Sequence, residues 1–170
     1  MRIIEKIFIH CSASAFGSFG LIDEWHRQRN FPSYECRERK RLCYVGYHKL
    51  FLNSYRTYSQ LKDSEITSSK VSSITDGQLV LARPIEIAGA HVSGENSTSI
   101  GYCYIGFSPT PLQLESMYSE CIKDILTYHI SIDNVIGHYE HYTRNNLQVL
   151  KTCPNFYMPS FRNALKLRME

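Results

Sequence analysis

Seven histidines and six cysteines are the side chains of this 170-residue sequence best suited to hold a metal or move a proton. His10 closes the apolar run Ile7-Phe8-Ile9, and His138 follows Val135-Ile136-Gly137. Both read as residues at the C-terminal ends of strands, on the rim of an α/β sheet where distant parts of a chain converge. Cys153 stands in Lys151-Thr152-Cys153-Pro154, and the proline disfavours helix at the cysteine. In an extended segment, one intervening residue puts Lys151 and Cys153 on the same side. Two neutral imidazoles and a thiolate make a sound zinc set, and three protein ligands leave a fourth position for water. The spacing is not that of a zinc finger, whose paired ligands lie close in sequence. The residues alone therefore leave two readings open, a metal site and a pair of satisfied structural histidines. A third is a cysteine peptidase using Cys153 with His10 or His138. Against it, Pro154 denies the thiol the helix N-terminus that often activates such groups.

The elements that must position these residues alternate between strand and helix. Ile3 to His10 reads as a strand, Leu21 to Arg29 as a short helix, and Tyr44 to Leu52 as a second strand rich in aromatics. Asp76-Gly77 predicts a turn before a third strand over Gln78 to Ala82, and Ile100 to Ile105 predicts a fourth. Thr110 and Pro111 suit a helix start. Leu114, Met117, Tyr118, Cys121, Ile122, Ile125 and Leu126 then keep one apolar face. Asn134 to Gly137 predicts the last strand, and Pro159 to Arg168 a terminal helix. The fold class is α/β, a single domain over residues 1–170 with a central mixed sheet of about five strands flanked by helices. The Ser-rich stretch 53–75 reads as an inserted excursion, with room for its own hairpin, and residues 139–150 as an extended loop.

Composition bounds the function. The chain is 43% hydrophobic and 21% charged, which excludes disordered and fibrous classes. No run of about 18 apolar residues exists to cross a membrane, and Met1 to Ser12 lacks the apolar core of a signal peptide. The expectation is synthesis in the cytoplasm. A net charge of +3 is too mild to point to nucleic acid. The basic excess Arg27, Arg29, Arg37, Arg39, Lys40 and Arg41 reads as solvated, its last four residues in a loop over Pro32 to Leu42, or as attraction to an anionic polymer such as a cell wall or a nucleic acid. Cys11, Cys103 and Cys121 fit apolar packing. Cys36 and Cys43 flank the basic loop and could pair outside the cell.

Several segments together resemble the zinc-dependent N-acetylmuramoyl-L-alanine amidases, the family of phage lysozymes and peptidoglycan recognition proteins. Phe8-Ile9-His10-Cys11-Ser12-Ala13 is similar to the opening strand, Trp25-His26 to the first helix, and Val45-Gly46-Tyr47-His48 to the second strand. His91-Val92-Ser93-Gly94-Glu95-Asn96-Ser97-Thr98-Ser99-Ile100-Gly101 resembles the H-x-x-G-x-N-x-x-S-I-G stretch. Gly137-His138 and Lys151-Thr152-Cys153-Pro154 resemble the closing segments. The matches run in family order from residue 8 to residue 154. The resemblance implies His10, His138 and Cys153 as ligands of one zinc per chain, at a rim of the sheet, and Tyr47 and Lys151 as catalytic groups. It implies peptidoglycan as substrate and cleavage of the amide between N-acetylmuramic acid and L-alanine, the work of a phage or prophage endolysin reaching the wall after release or export. Zinc would lower the pKa of bound water toward about 7, with Lys151 and Tyr47 facing the oxyanion. Binding-only members replace the cysteine, commonly by serine, so Cys153 favours an enzyme over a silent peptidoglycan-binding or partner-regulating module.

The resemblance also sets His91 by the groove, where it could contact substrate or stand behind the metal ligands, with a loop-structuring role open, and Asn96 is a further candidate substrate contact. Trp25 and His26 read as helix packing, with a sugar-groove role open for Trp25. His48 follows Tyr47 in a strand and must point the other way. His129 ends the long helix, where a cation suits the dipole, and His141 reads as surface. The segments 53–75, 139–150 and 32–42 depart from the phage-type pattern and are expected to border the groove.

Overall fold

A computed structural model describes residues 2–55 and 76–170. A mixed five-stranded sheet runs in the order β5-β4-β6-β1-β7. Its strands are β1 (Lys6–Cys11), β4 (Lys49–Phe51), β5 (Leu79–Leu81), β6 (Ser99–Tyr104) and β7 (Val135–Gly137). β1 pairs in parallel with β6 and β7, β4 pairs in parallel with β6, and only β5 runs antiparallel, on the edge. Strands β2 (Tyr34–Cys36) and β3 (Arg41–Cys43) form a separate hairpin.

Period-two alternation sorts the side chains of each strand onto two faces. Ile7, Ile9, Ile100, Tyr102, Tyr104 and Phe51 join one core, beneath α2 (Pro111–Tyr128) and α4 (Met158–Met169). Leu50, Leu52, Cys103 and Ile105 face the other core with Phe19 and Ile22 of α1 (Phe19–Gln28). On the first face sits a charged group that alternation alone would not place there. Lys49 is 4% exposed, yet its Nζ lies 2.7 Å from both Glu120 and Asp124 of α2, and the Tyr102 hydroxyl donates to Asp124 at 2.6 Å. The helix α2 starts where its residues demand, with the Thr110 side chain accepting from Gln113 N–H and Gln113 reaching back to Thr110 N–H.

Three departures from the sequence reading have physical causes. The strand expected over Tyr44 to Leu52 shrinks to β4, because side chains take the ladder hydrogen bonds of its first half. Asp23 accepts from Tyr44 and Val45 N–H, and His26 Nδ1 accepts from Gly46 N–H at 2.9 Å. The stretch 32–42, expected as a loop, is largely the β2–β3 hairpin. Its charges are used locally: Arg41 pairs with Asp23 at 2.7 Å, and the Arg39 guanidinium lies 3.5 Å from the Phe19 ring centre. Residues 139–150, expected as an extended loop, begin as a helix, α3 (His138–Arg144). Cys36 and Cys43 are both free thiols, and Cys11, Cys103 and Cys121 are buried as expected. The excursion 53–75 lies, from residue 56 on, outside the described residues. Among the described residues, no helix is long and apolar enough to cross a membrane.

Candidate metal centre

Strand pairing builds the site. The β1–β7 register sets Ile9 opposite Gly137, so His138, one residue on, comes abreast of His10. The two imidazole rings sit edge to face with centres 4.6 Å apart, and both residues are buried. Cys153 reaches them from 15 residues further along the chain. One ligand atom from each of His10, His138 and Cys153 lies within 4.8 Å of the others. This His-His-Cys group is a candidate metal site, and its donor chemistry suits the task. Burial, then the neighbouring His91, His138 and Lys151, holds His10 well below the usual histidine range. Burial, then Lys151 and His141, brings His138 down to about 4. Both rings are therefore neutral at pH 7 and carry a lone pair for a cation.

Cys153 is prepared differently. The Cys11 N–H donates to its sulfur at 3.1 Å. Contact between the two thiols pulls Cys11 down to about 7 and holds Cys153 above the usual thiol range. A cation would reverse that order, since a coordinating thiol is deprotonated outright. The segment is pinned by Tyr139 N–H donating to Cys153 O at 2.9 Å and by the Tyr104 hydroxyl donating to Pro154 O. Asn155 Nδ2 reaches Phe107 O at 3.0 Å. His138 is held by its own helix: Glu140 accepts from Gly137 N–H at 3.0 Å and is clamped through both oxygens by Arg162 at 2.8 Å.

The three residues floor a cavity of about 610 Å³ whose walls include Arg29, Phe31, Tyr47, His91, Leu150 and Lys151. Tyr47 lies with its ring centre 5.1 Å from that of His10. Burial pushes its pKa well above the usual tyrosine value, so it is a protonated donor at neutral pH. Lys151 stands exposed at the mouth, close enough for its charge to depress both metal-site histidines. His91 sits beside His10, with Nδ1 3.3 Å from His10 Nε2.

Other residues singled out in the sequence take other places. The Asn96 side chain accepts from His91 and Val92 N–H at 2.8 and 3.0 Å and does not line the cavity. Trp25 also lies outside the lining and packs on Phe16. His26 stacks on Phe31, and His48 accepts from Gly101 N–H and bonds Ile87 O on the far side from Tyr47. His129 caps α2 in the left-handed region, at φ 56°. His141 is not a surface residue: it packs on the Phe8 ring and lies 3.6 Å from Glu95. Of the departing segments, 139–150 meets the cavity through Val149 and Leu150, whereas the β2–β3 hairpin borders a second cavity with Pro84 to Ile87. Glu140, Arg162 and Asn155 went unnoticed in the sequence, and Cys11 was read only as apolar packing. Glu140 alone had a signal, standing three residues after Gly137 at capping-box spacing.

This sheet, with a His-His-Cys group at its rim, is the fold of N-acetylmuramoyl-L-alanine amidases and peptidoglycan recognition proteins. The amidase LysC from Clostridium intestinale superposes with a TM-score of 0.66 at 20% identity, over 96% of this chain and 85% of that one. Bumblebee PGRP-SA superposes with a TM-score of 0.56 at 17% identity, over 91% of this chain and 77% of that one. In sequence, the chain is similar to an endolysin of Klebsiella phage KP32, 24% identical over 164 residues that span 89% of this chain and 81% of the relative. No protein-family model matches the chain.

Proposed function

We propose that this protein is a zinc-dependent N-acetylmuramoyl-L-alanine amidase, a phage or prophage endolysin that cuts the amide between N-acetylmuramic acid and the L-alanine of the stem peptide. The observation that carries this reading is the meeting of His10, His138 and Cys153 on the floor of a cavity, in a fold that solved amidases share. Zinc, the cofactor we assign to these three, supplies Lewis-acid chemistry that polarises a carbonyl and makes water a nucleophile near neutral pH.

The chain's own residues do the rest. His10 and His138 offer neutral nitrogens, and Cys153 supplies the one negative charge, so a divalent ion keeps a net positive charge toward substrate. Tyr47, kept protonated by burial, donates to the oxyanion that forms as the carbonyl carbon becomes tetrahedral. Lys151 sets a fixed cation at the same mouth, where it offsets that negative charge. The cavity walls hold the muropeptide so that one amide lies over the floor. Cys153 supports turnover over a binding-only role, because a thiolate is a strong zinc ligand and a serine hydroxyl is a poor one.

Digestion of purified peptidoglycan tests the reading. The expected products carry new amino termini at L-alanine, and a chelator abolishes their release. New reducing sugars would mean a glycosidase, and release untouched by chelation would mean a cysteine peptidase.

A further inference from the structure

We infer that His91 is a positioning residue for His10: it acts by fixing which nitrogen of His10 faces the metal. The inference rests on the zinc reading above and concerns the shell behind the ligands. His10 has two ring nitrogens, and its Nε2 lies 3.3 Å from His91 Nδ1. One of the pair must donate and the other accept. If His10 Nε2 carries the proton, its Nδ1 keeps the lone pair and is free for a cation. If His91 donates instead, the neutral His10 carries its proton on Nδ1 and has no lone pair to offer the metal. A metal on His10 therefore requires His91 Nδ1 to accept, which puts the remaining His91 proton on Nε2.

That Nε2 is the unusual atom. It is buried and has no hydrogen-bond partner. His48, packed beside it, uses both nitrogens, with Gly101 N–H and Ile87 O. His91 uses one, and uses it on His10. An unpaired buried polar group in a folded protein calls for a reason, and holding a metal ligand in the right tautomer is one.

The ring lies hard against two glycines. A Cβ added at Gly89 would lie 2.4 Å from His91 Cδ2, and one added at Gly101 would lie 2.5 Å from it. These two glycines form a slot against which the imidazole lies, with Phe8 and His48 at further sides. Asn96 holds the backbone by accepting from His91 and Val92 N–H. The slot, the backbone clamp and the single polar partner together aim Nδ1 at His10. His91 lines the cavity, but its Nε2, the nitrogen left over for a substrate contact, is itself buried.

The test measures zinc affinity by competition with a chelator of known strength. His91→Phe keeps the ring shape and removes the acceptor, and His91→Asn keeps an acceptor near the Nδ1 position. Losing the partner that orients a metal ligand typically weakens metal affinity by about 10- to 100-fold, and His91→Phe is expected to fall in that range, with His91→Asn recovering most of the loss. Melting of the metal-free protein should not drop in parallel, and KM for a soluble muropeptide should stay unchanged. Unchanged zinc affinity in His91→Phe overturns the inference, and so does a raised KM with affinity intact, which marks a substrate contact. If His91→Phe does not fold, His91→Asn and His91→Ala are compared, and equal affinity in the two overturns it as well. Failure of the unsubstituted protein to bind zinc overturns the metal reading itself and this inference with it.

Discussion

In the proposed mechanism Tyr47 and Lys151 make different contributions to the same mouth, and single substitutions should separate them. Tyr47→Phe keeps the ring beside His10 and removes the donor. Losing one oxyanion donor commonly lowers kcat by about 10²- to 10³-fold, and kcat is expected to fall in that range with KM steady. A fall in KM-limited binding with kcat intact would place Tyr47 in recognition instead. Single residues also explain what could be read without coordinates. The proposed ligands His10, His138 and Cys153 stood out by their places, two after apolar runs and the third before a proline, but were joined as a set only through resemblance. Tyr47 and Lys151 were legible only through resemblance, since nothing in their spacing marks them. The His91–His10 pair was not legible, because sequence does not reveal which nitrogen of a ring meets which partner.

Elements place these residues, and their stability depends on polar contacts that binary patterning hides. Lys49 opens β4 at a position expected to be plain strand, yet it enters the core against Glu120 and Asp124. Breaking such a buried group from one side costs about 3–5 kcal/mol. Lys49→Met should destabilise by that order in urea unfolding, and a change within error would show that the group is well hydrated in the fold. Thr110 caps α2, and Thr110→Ala should cost about 1 kcal/mol. The long helix was legible because Thr110, Pro111 and the apolar stripe agree. The β2–β3 hairpin was not, because Arg37 to Arg41 reads as solvated charge while Tyr34, Cys36 and Cys43 supply its buried face. The helix α3 was missed because its start depends on Glu140, whose clamp, Arg162, lies 22 residues away.

For the molecule as a whole, buried neutral histidines set a limit on acid tolerance. Burial brings His26 to about 4 and His48 to about 3. Their folded values lie below the unfolded one, near 6.5, so between these the unfolded state binds more protons. Their stability contribution is full above about pH 6.5 and is lost as pH falls toward 4. Urea midpoints should hold from pH 8 to 7 and drop steeply from 6 to 4, with a shallower drop in His48→Gln; a flat profile would contradict the neutral, buried assignment. The mixed sheet and its flanking helices were legible as alternating strand and helix signals, whereas strand order follows from pairing that no local pattern encodes. That order is what sets His138 beside His10, and the account depends on it most heavily at the candidate metal site. The most direct measurement is zinc content and wall hydrolysis of the protein purified without chelator, beside Cys153→Ser. The account predicts one zinc per chain and hydrolysis in the first, with both falling together in the second. No zinc in the unsubstituted protein, or unchanged zinc and hydrolysis in Cys153→Ser, would contradict it.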